Sequence, residues 1–263
     1  MKDETRTVLE IAERLAREAG ALQRERYETE IEVGTKSSAV DLVTEVDRAC
    51  EALLVETLER ERPGDAILAE EGGGHDSEGA TWRWIIDPLD GTTNFAHGYP
   101  RFCVSIGVEY EGRREVGVVY DPLLGELYHA VRGEGAHLNG RPIRVSSEQE
   151  LGRGLVATGF AYDRRSSDDN NLEHFAAFLR SARALRRDGS AALDLCYVAA
   201  GRLEGFWELK LHAWDVAAGA LIVEEAGGRV SDMRGGAMPR SGSEVVASNG
   251  HVHAAMLDVL EGR

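Results

Sequence analysis

Between Trp82 and Gly140 the chain runs through short apolar, β-branched stretches divided by turn signals, and this segment sets the fold more than any other. Cys103–Tyr110, Glu115–Tyr120 and Glu126–Val131 are rich in Val, Ile and Tyr. Glu111-Gly112, Asp121-Pro122 and Arg132-Gly133 separate them, and Asn139-Gly140 marks a further tight turn. Strand-forming runs joined by such dipeptides predict an antiparallel meander. Trp82–Ile86 supplies a strand ahead of it, ending at Asp87-Pro88.

Helical periodicity flanks the meander. Val8, Ile11, Leu15, Ala19 and Leu22 recur at steps of three and four, which predicts an amphipathic helix lying on a core. A second helix is expected from Ala39 to Arg62, entered through Asp41-Leu42-Val43-Thr44 and stopped by Pro63-Gly64. Ala66–Ala69 reads as a short strand and Glu71–Asp76 as a glycine-rich loop. Beyond about residue 145 strands and helices alternate. Strands are expected at Leu155–Ala157, Gly205–Glu208, Arg229–Ser231 and Glu244–Ala247. Helices are expected at Asn171–Leu185, Ser190–Ala200 and Val216–Ala226, the last closed by Gly227-Gly228. The fold class is therefore α+β, with N-terminal helices and an antiparallel sheet (1–145) joined to an α/β lobe (146–263). No repeat or low-complexity linker separates the lobes, so one domain over 1–263 is expected.

Composition narrows the function classes. A hydrophobic share of 43 % and a charged share of 29 % describe a globular chain. The formal net charge of −16 repels nucleic-acid backbone and anionic lipid, so direct nucleic-acid binding is not expected. No apolar run reaches the roughly 18–20 residues of a membrane span, and the opening Met1-Lys2-Asp3-Glu4 has no signal-peptide character. Cys50, Cys103 and Cys196 are widely spaced and form no C-x-x-C pair, which argues for reduced, buried thiols. A cytoplasmic protein is expected.

Four acidic groups carry the chemical signal: Asp41/Asp47, Glu70-Glu71, Asp87…Asp90 and Asp215. In Trp84-Ile85-Ile86-Asp87-Pro88-Leu89-Asp90-Gly91-Thr92-Thr93-Asn94, an apolar strand delivers Asp87 to its end and Pro88 turns the chain. Asp90 can then face the same point, with the Leu89 carbonyl between. Two carboxylates and a carbonyl make a hard-oxygen site that suits Mg²⁺. Gly91 allows close backbone approach, and Thr92 and Thr93 can open a helix whose amides face an anion. Taken singly, each group has a plainer reading. Asp87 and Asp90 could be turn residues, Asp215 a helix cap ahead of Val216–Leu221, Glu70-Glu71 solvated strand-end charge, and Asp47 a partner of Arg48.

Jointly these segments resemble the inositol monophosphatase family, within the wider group that includes the fructose-1,6-bisphosphatases and bisphosphate nucleotidases. The resemblance covers nearly the whole chain. Asp41–Asp47 resembles the family's D-x-V-T-x-x-D segment, Glu70-Glu71 its acidic pair, Trp84–Asn94 its W-I-I-D-P-[IL]-D-G-T-T-N signature, and Trp214–Gly228 its C-terminal signature. Arg186–Leu195 is similar to the bacterial members.

The resemblance implies a layered αβαβα sandwich and Mg²⁺-dependent hydrolysis of a small phosphorylated metabolite such as inositol-1-phosphate. Fructose-1,6-bisphosphatase, bisphosphate nucleotidase and histidinol-phosphatase activities are alternatives on the same fold. It implies Glu70, Asp87, the Leu89 carbonyl, Asp90 and Asp215 as ligands of two or three Mg²⁺. Glu70, Thr92, Asp47 and Lys36 are the implied catalytic residues. Leu89, Asp90, Gly91, Thr92, Arg186, Gly189, Ser190, Ala191, Glu208 and Asp215 are the implied substrate contacts. A homodimer, lithium sensitivity and, in some bacterial relatives, a second role as a protein partner of transcription or RNA machinery are further implications. Lys36 stands out because the chain has only two other lysines, Lys2 and Lys210. Asp188 and Ala69 depart from the family pattern. The eight histidines are taken as structural or surface residues.

Overall fold

The structure is a computed structural model that describes residues 2–36, 41–75, 77 and 79–262 of the 263. Its elements in chain order begin with α1 (Lys2–Arg26), β1 (Val33–Thr35), β2 (Leu42–Thr44), α2 (Glu45–Glu61), β3 (Ala66–Ala69), β4 (Trp82–Asp90) and α3 (Thr92–Ala96). The meander follows as β5 (Cys103–Tyr110), β6 (Arg113–Asp121), β7 (Glu126–Val131), β8 (Gly135–Leu138) and β9 (Arg141–Pro142). The second half contains β10 (Leu155–Thr158), α4 (Leu172–Ser181), β11 (Ala184–Arg186), α5 (Ala191–Ala199), β12 (Gly205–Leu209), α6 (Ala213–Glu225), β13 (Arg229–Ser231), β14 (Glu244–Ser248) and α7 (His253–Leu260).

A seven-stranded sheet runs in the order β3-β4-β5-β6-β7-β8-β9, parallel only between β3 and β4. A five-stranded sheet runs β11-β10-β12-β14-β13, with β10 parallel to both its neighbours and β14 antiparallel to both of its own. Helices α5 and α6 lie between the sheets, touching β5 and β6 on one side and β14 on the other. Helices α1 and α2 cover the outer face of the first sheet, and α4 and α7 pack together on the outer side of the second. This is the expected five-layer αβαβα order, and apolar area buried at each layer boundary holds it together.

The central layer sits unusually close to the first sheet. A Cβ on Gly107 would lie 2.7 Å from that of Ala217, and one on Gly117 would lie 2.7 Å from the Ala218 carbonyl. Two glycines side by side on β5 and β6 therefore let α6 descend onto the strands. Small residues on its face (Ala217, Ala218, Gly219) complete the fit, and α6 is buried along most of its length.

Several expected boundaries are corrected. The second helix starts at Glu45: Leu42–Thr44 is a strand paired with Val33–Thr35, and Thr44 is the N-cap. Its expected first residues Ala39 and Val40, and the loop residue Asp76, lie outside the described residues. The strand expected to stop at Asp87 continues to Asp90, because a register irregularity between Asp87 and Asp90 absorbs Pro88 without ending the pairing with β5. The helix expected over Asn171–Leu185 ends at Ser181, and Ala184–Arg186 instead takes the open edge beside β10. Helix α6 begins at Ala213, three residues before its expected start. Helix α7 was not anticipated. Its alanine-rich segment is short, and its one buried apolar side chain is Met256.

Candidate active site

The end of strand β4 and the starts of helices α2, α5 and α6 come to one place, and the acidic groups meet there. Asp87 and Asp90 come from the irregular end of β4 and are 2 % and 9 % exposed. Asp87 Oδ1 accepts the Leu89 amide at 3.0 Å, which fixes the tight loop around Pro88. Asp90 Oδ2 accepts the Ser190 hydroxyl at 2.7 Å and the Ala192 amide at 2.8 Å, so the first turn of α5 grips it. Ser190 is also the N-cap of α5 and Ala191 its first residue. Asp215 is on α6 but is not its N-cap. It occupies the third helical position and accepts the His212 amide at 2.6 Å.

On the other flank, Thr44 and Asp47 form a reciprocal cap on α2. Asp47 Oδ2 accepts the Thr44 amide at 2.9 Å, while Thr44 Oγ1 accepts the Val46 amide at 3.1 Å. The second carboxylate oxygen, Oδ1, accepts the Thr92 hydroxyl at 2.8 Å. Thr92 Oγ1 also lies 3.1 Å from the Leu89 carbonyl. Gly91, with φ of 97°, makes the left-handed turn that carries the chain from Asp90 into α3, and a Cβ there would meet the Arg101 carbonyl at 2.8 Å. Asn94 locks this corner to the α5 side by donating to the carbonyls of Arg101 (2.7 Å) and Asp188 (2.8 Å).

Glu70 at the end of β3 accepts Lys36 Nζ at 2.7 Å, and Lys36 also pairs with Glu71. Glu51 holds the loop that follows by accepting the amides of Glu71 (2.7 Å) and Gly73 (2.8 Å). The Glu70 and Asp87 carboxyls adjoin closely enough to share a hydrogen bond. Burial pushes Asp87 well above the usual carboxylate range, with Glu70, Asp90 and Asp215 adding to it. Burial and then Asp215 push Asp90 up to about 6. Burial pushes Glu70 up to about 7 against the pull of Lys36. Burial works against the charge of Lys36, but Glu70 and Glu71 outweigh it and hold the ammonium above its usual range.

As these side chains stand, no three Asp, Glu, His or Cys groups among the described residues form a ready-made metal cage. Lys36 pairs with Glu70, and backbone amides donate to one oxygen each of Asp87, Asp90 and Asp215. The donor set nevertheless fits a hard divalent cation. Glu70, Asp87 and Asp90 are all pushed up by burial and by neighbouring carboxylates, Asp215 among them, with one ammonium beside them and a carbonyl close by.

Glu208, on β12, is 8 % exposed and pairs with Val245 in the β12–β14 ladder. Burial raises its carboxyl well above the usual range, with Arg187 opposing. A Cβ on Gly159 would fall 2.0 Å from Glu208 Oε1, so the carboxyl fills the space that a side chain at 159 would take. Arg186 is exposed and bonds the carbonyl of Leu185 at 2.9 Å, while Arg187 is the arginine whose charge reaches Glu208. Gly189, with φ of 83°, sits under the Asn94 amide.

One residue at the site was not singled out by sequence. Tyr162 is 46 % exposed, and its phenol is held protonated to higher pH than usual by partial burial and then by the charges of Asp41, Glu70, Asp215 and Asp90. Its loop is anchored by Lys210 Nζ, which donates to Asp163 Oδ2 and Ser167 Oγ, each at 2.8 Å. A tyrosine in an irregular loop has no periodicity to mark it, so the sequence held no signal.

Residues 4–262 match the inositol monophosphatase family. The chain belongs to that family. It is 45 % identical over 254 residues to the inositol-1-monophosphatase of Synechocystis sp., covering 97 % of this chain and 88 % of that protein. It is 47 % identical over 261 residues to the Nus factor SuhB of Pseudomonas aeruginosa, covering 97 % and 96 %. Among solved structures, the inositol monophosphatase of Anabaena (Nostoc) sp. superposes with a TM-score of 0.88 at 42 % identity, covering 98 % of this chain and 96 % of that one. As an inositol monophosphatase family member the chain is a phosphoric monoester hydrolase, and the family is generally metal-dependent. No helix among the described residues is long and apolar enough to cross a membrane.

Proposed function

We propose that the chain is a Mg²⁺-dependent phosphomonoesterase that hydrolyses inositol-1-phosphate or a similar small polyol phosphate by direct attack of water. The observation that carries this reading is the meeting of two buried carboxylates, Asp87 and Asp90, and two half-buried ones, Glu70 and Asp215, with the Thr92–Asp47 hydrogen bond. Glu70, Asp87, Asp90, Asp215 and the Leu89 carbonyl would hold two Mg²⁺, with a third, weaker ion also served by Glu70. Bound Mg²⁺ would supply the positive charge that offsets the phosphate and makes water acidic enough to attack.

The residues themselves divide the remaining work. Thr92 donates its hydroxyl hydrogen bond to Asp47 Oδ1, leaving the lone pairs of Oγ1 to accept from the attacking water. Asp47 is fixed for this by the Thr44 amide. Glu70 is the base for the water's proton, and Lys36 beside it favours the ionised form. The amides of Gly91 and Thr92 serve the phosphate. Ser190, Ala191 and Gly189 line the alcohol side, where the buried Glu208 carboxyl suits polyol hydroxyls. Arg186 is retained as an outer contact.

The deciding experiment measures phosphate release from D-myo-inositol-1-phosphate with and without Mg²⁺ for wild type and Asp90→Asn. Release that needs Mg²⁺ and collapses in the variant supports the reading. Greater activity on a nucleotide or sugar bisphosphate would replace the substrate, and a phosphoenzyme trapped by rapid quenching would overturn direct attack. The SuhB-named relatives support a second reading, a protein-binding role beside catalysis. Its test is co-purification of transcription factors with Asp90→Asn as well as wild type.

A further inference from the structure

We propose that a pocket of four arginines behind α6 binds a small tetrahedral oxyanion of the phosphate or sulfate kind. Arg113 and Arg114 of β6, Arg132 after β7, and Arg240 in the β13–β14 connection surround a cavity of about 160 Å³. That space is ample for one oxyanion and open to solvent on the Arg113 and Arg240 side. Ile85, Ala217 and Met238 make the floor apolar, which strengthens any charge interaction above it.

The carboxylates present leave this charge undercompensated. Glu224 is shared, receiving Arg114 at 2.9 Å and Arg132 at 3.1 Å. Glu109 pairs with Arg240 at 2.5 Å, and Glu115 lies 3.6 Å from Arg113. Arg83, opposite Glu109 in the ladder, adds a fifth guanidinium whose buried Nε has no hydrogen-bond partner among the described residues. Another donor, Arg114 Nη1, meets only the Met238 sulfur at 3.9 Å. Burial holds Arg114 below the usual arginine range, with Glu224 and Glu109 opposing and Arg132 adding to it. Such a concentration of guanidinium groups is out of keeping with a chain of net charge −16. Their planar forks match the geometry of a phosphate or sulfate.

The site differs in kind from the carboxylate cluster, because it needs no metal to attract an anion. The test is calorimetric titration of the full-length protein with inorganic phosphate and then sulfate, with chloride at equal ionic strength as control and no divalent cation added. One saturable site per chain is expected for both oxyanions. Arg113→Gln, at a side chain 71 % exposed, keeps the fold and weakens binding. Pairing it with Arg240→Gln is expected to weaken binding at least about tenfold. Glu224→Gln is expected to tighten it, because Arg114 and Arg132 lose their competing carboxylate. Asp90→Asn leaves it unchanged. No saturable binding in wild type, binding indifferent to the arginine and Glu224 substitutions, or binding that disappears with Asp90→Asn would each overturn the proposal.

Discussion

Thr92 and Asp47, 45 positions apart, are joined by a 2.8 Å hydrogen bond that links the start of α3 to the start of α2. One Asp47 oxygen belongs to the helix cap and the other to the site. Thr92→Val keeps the shape and the fold but removes the hydroxyl. Its kcat should fall by about 10²–10⁴-fold, with KM changed little. Asp47→Asn should lower kcat and also cost about 1 kcal/mol of stability through the weakened cap, read from urea midpoints. Equal stability loss in both variants would argue against this division.

Lys36 Nζ pairs with both Glu70 and Glu71. Lys36→Gln should lower the melting temperature of the metal-free protein, since two half-buried carboxylates lose their partner. It should also enlarge the rise in melting temperature on adding Mg²⁺, because the ion no longer displaces an ammonium. Thermal scans with and without Mg²⁺ measure both effects.

Gly159 and Glu208 compete for one space. Gly159→Ala should push the Glu208 carboxyl out of position and raise KM for a polyol phosphate by about the same factor as Glu208→Gln. Overpacking of this kind typically takes about 1–3 kcal/mol from stability. If both act through the same carboxyl, the double variant should be clearly less than additive in KM.

His253 is fully buried between Ser231 Oγ and Ser248 Oγ, each 2.9 Å from a ring nitrogen. Burial pushes it down to about 4, with Arg229 adding to it. The folded protein therefore keeps the ring neutral while the unfolded chain, with the ordinary histidine value near 6.5, takes up a proton. Stability contributed by this group is complete above about pH 6.5 and is lost as pH falls toward 4. The total is on the order of 2–3 kcal/mol. His253→Asn should flatten the urea-midpoint profile across that window.

The sequence showed the meander well, because alternating strands and tight turns are written in neighbouring residues, and Glu126–Val131 matches its strand end to end. It showed less where neighbours in space decide. Leu42–Thr44 looked like the approach to a helix, yet Val33–Thr35 pairs with it. Ala184–Arg186 looked helical, yet an open sheet edge claims it. The acidic residues stand out in the sequence, whereas the charge of Arg187 on Glu208 depends on packing and has no local signal.

The sequence alone determined the layered α+β architecture and the set of acidic residues, since periodicity, turn dipeptides and the Trp84–Asn94 and Trp214–Gly228 segments are local properties of the chain. Only the tertiary structure decided that Lys36 neutralises Glu70, that Glu208 fills the place of a side chain at 159, and that arginines from β6, β7 and the β13–β14 connection enclose one cavity. Those relationships arise from burial and Coulomb forces between residues brought together by packing, and these depend on distance in space rather than distance along the chain.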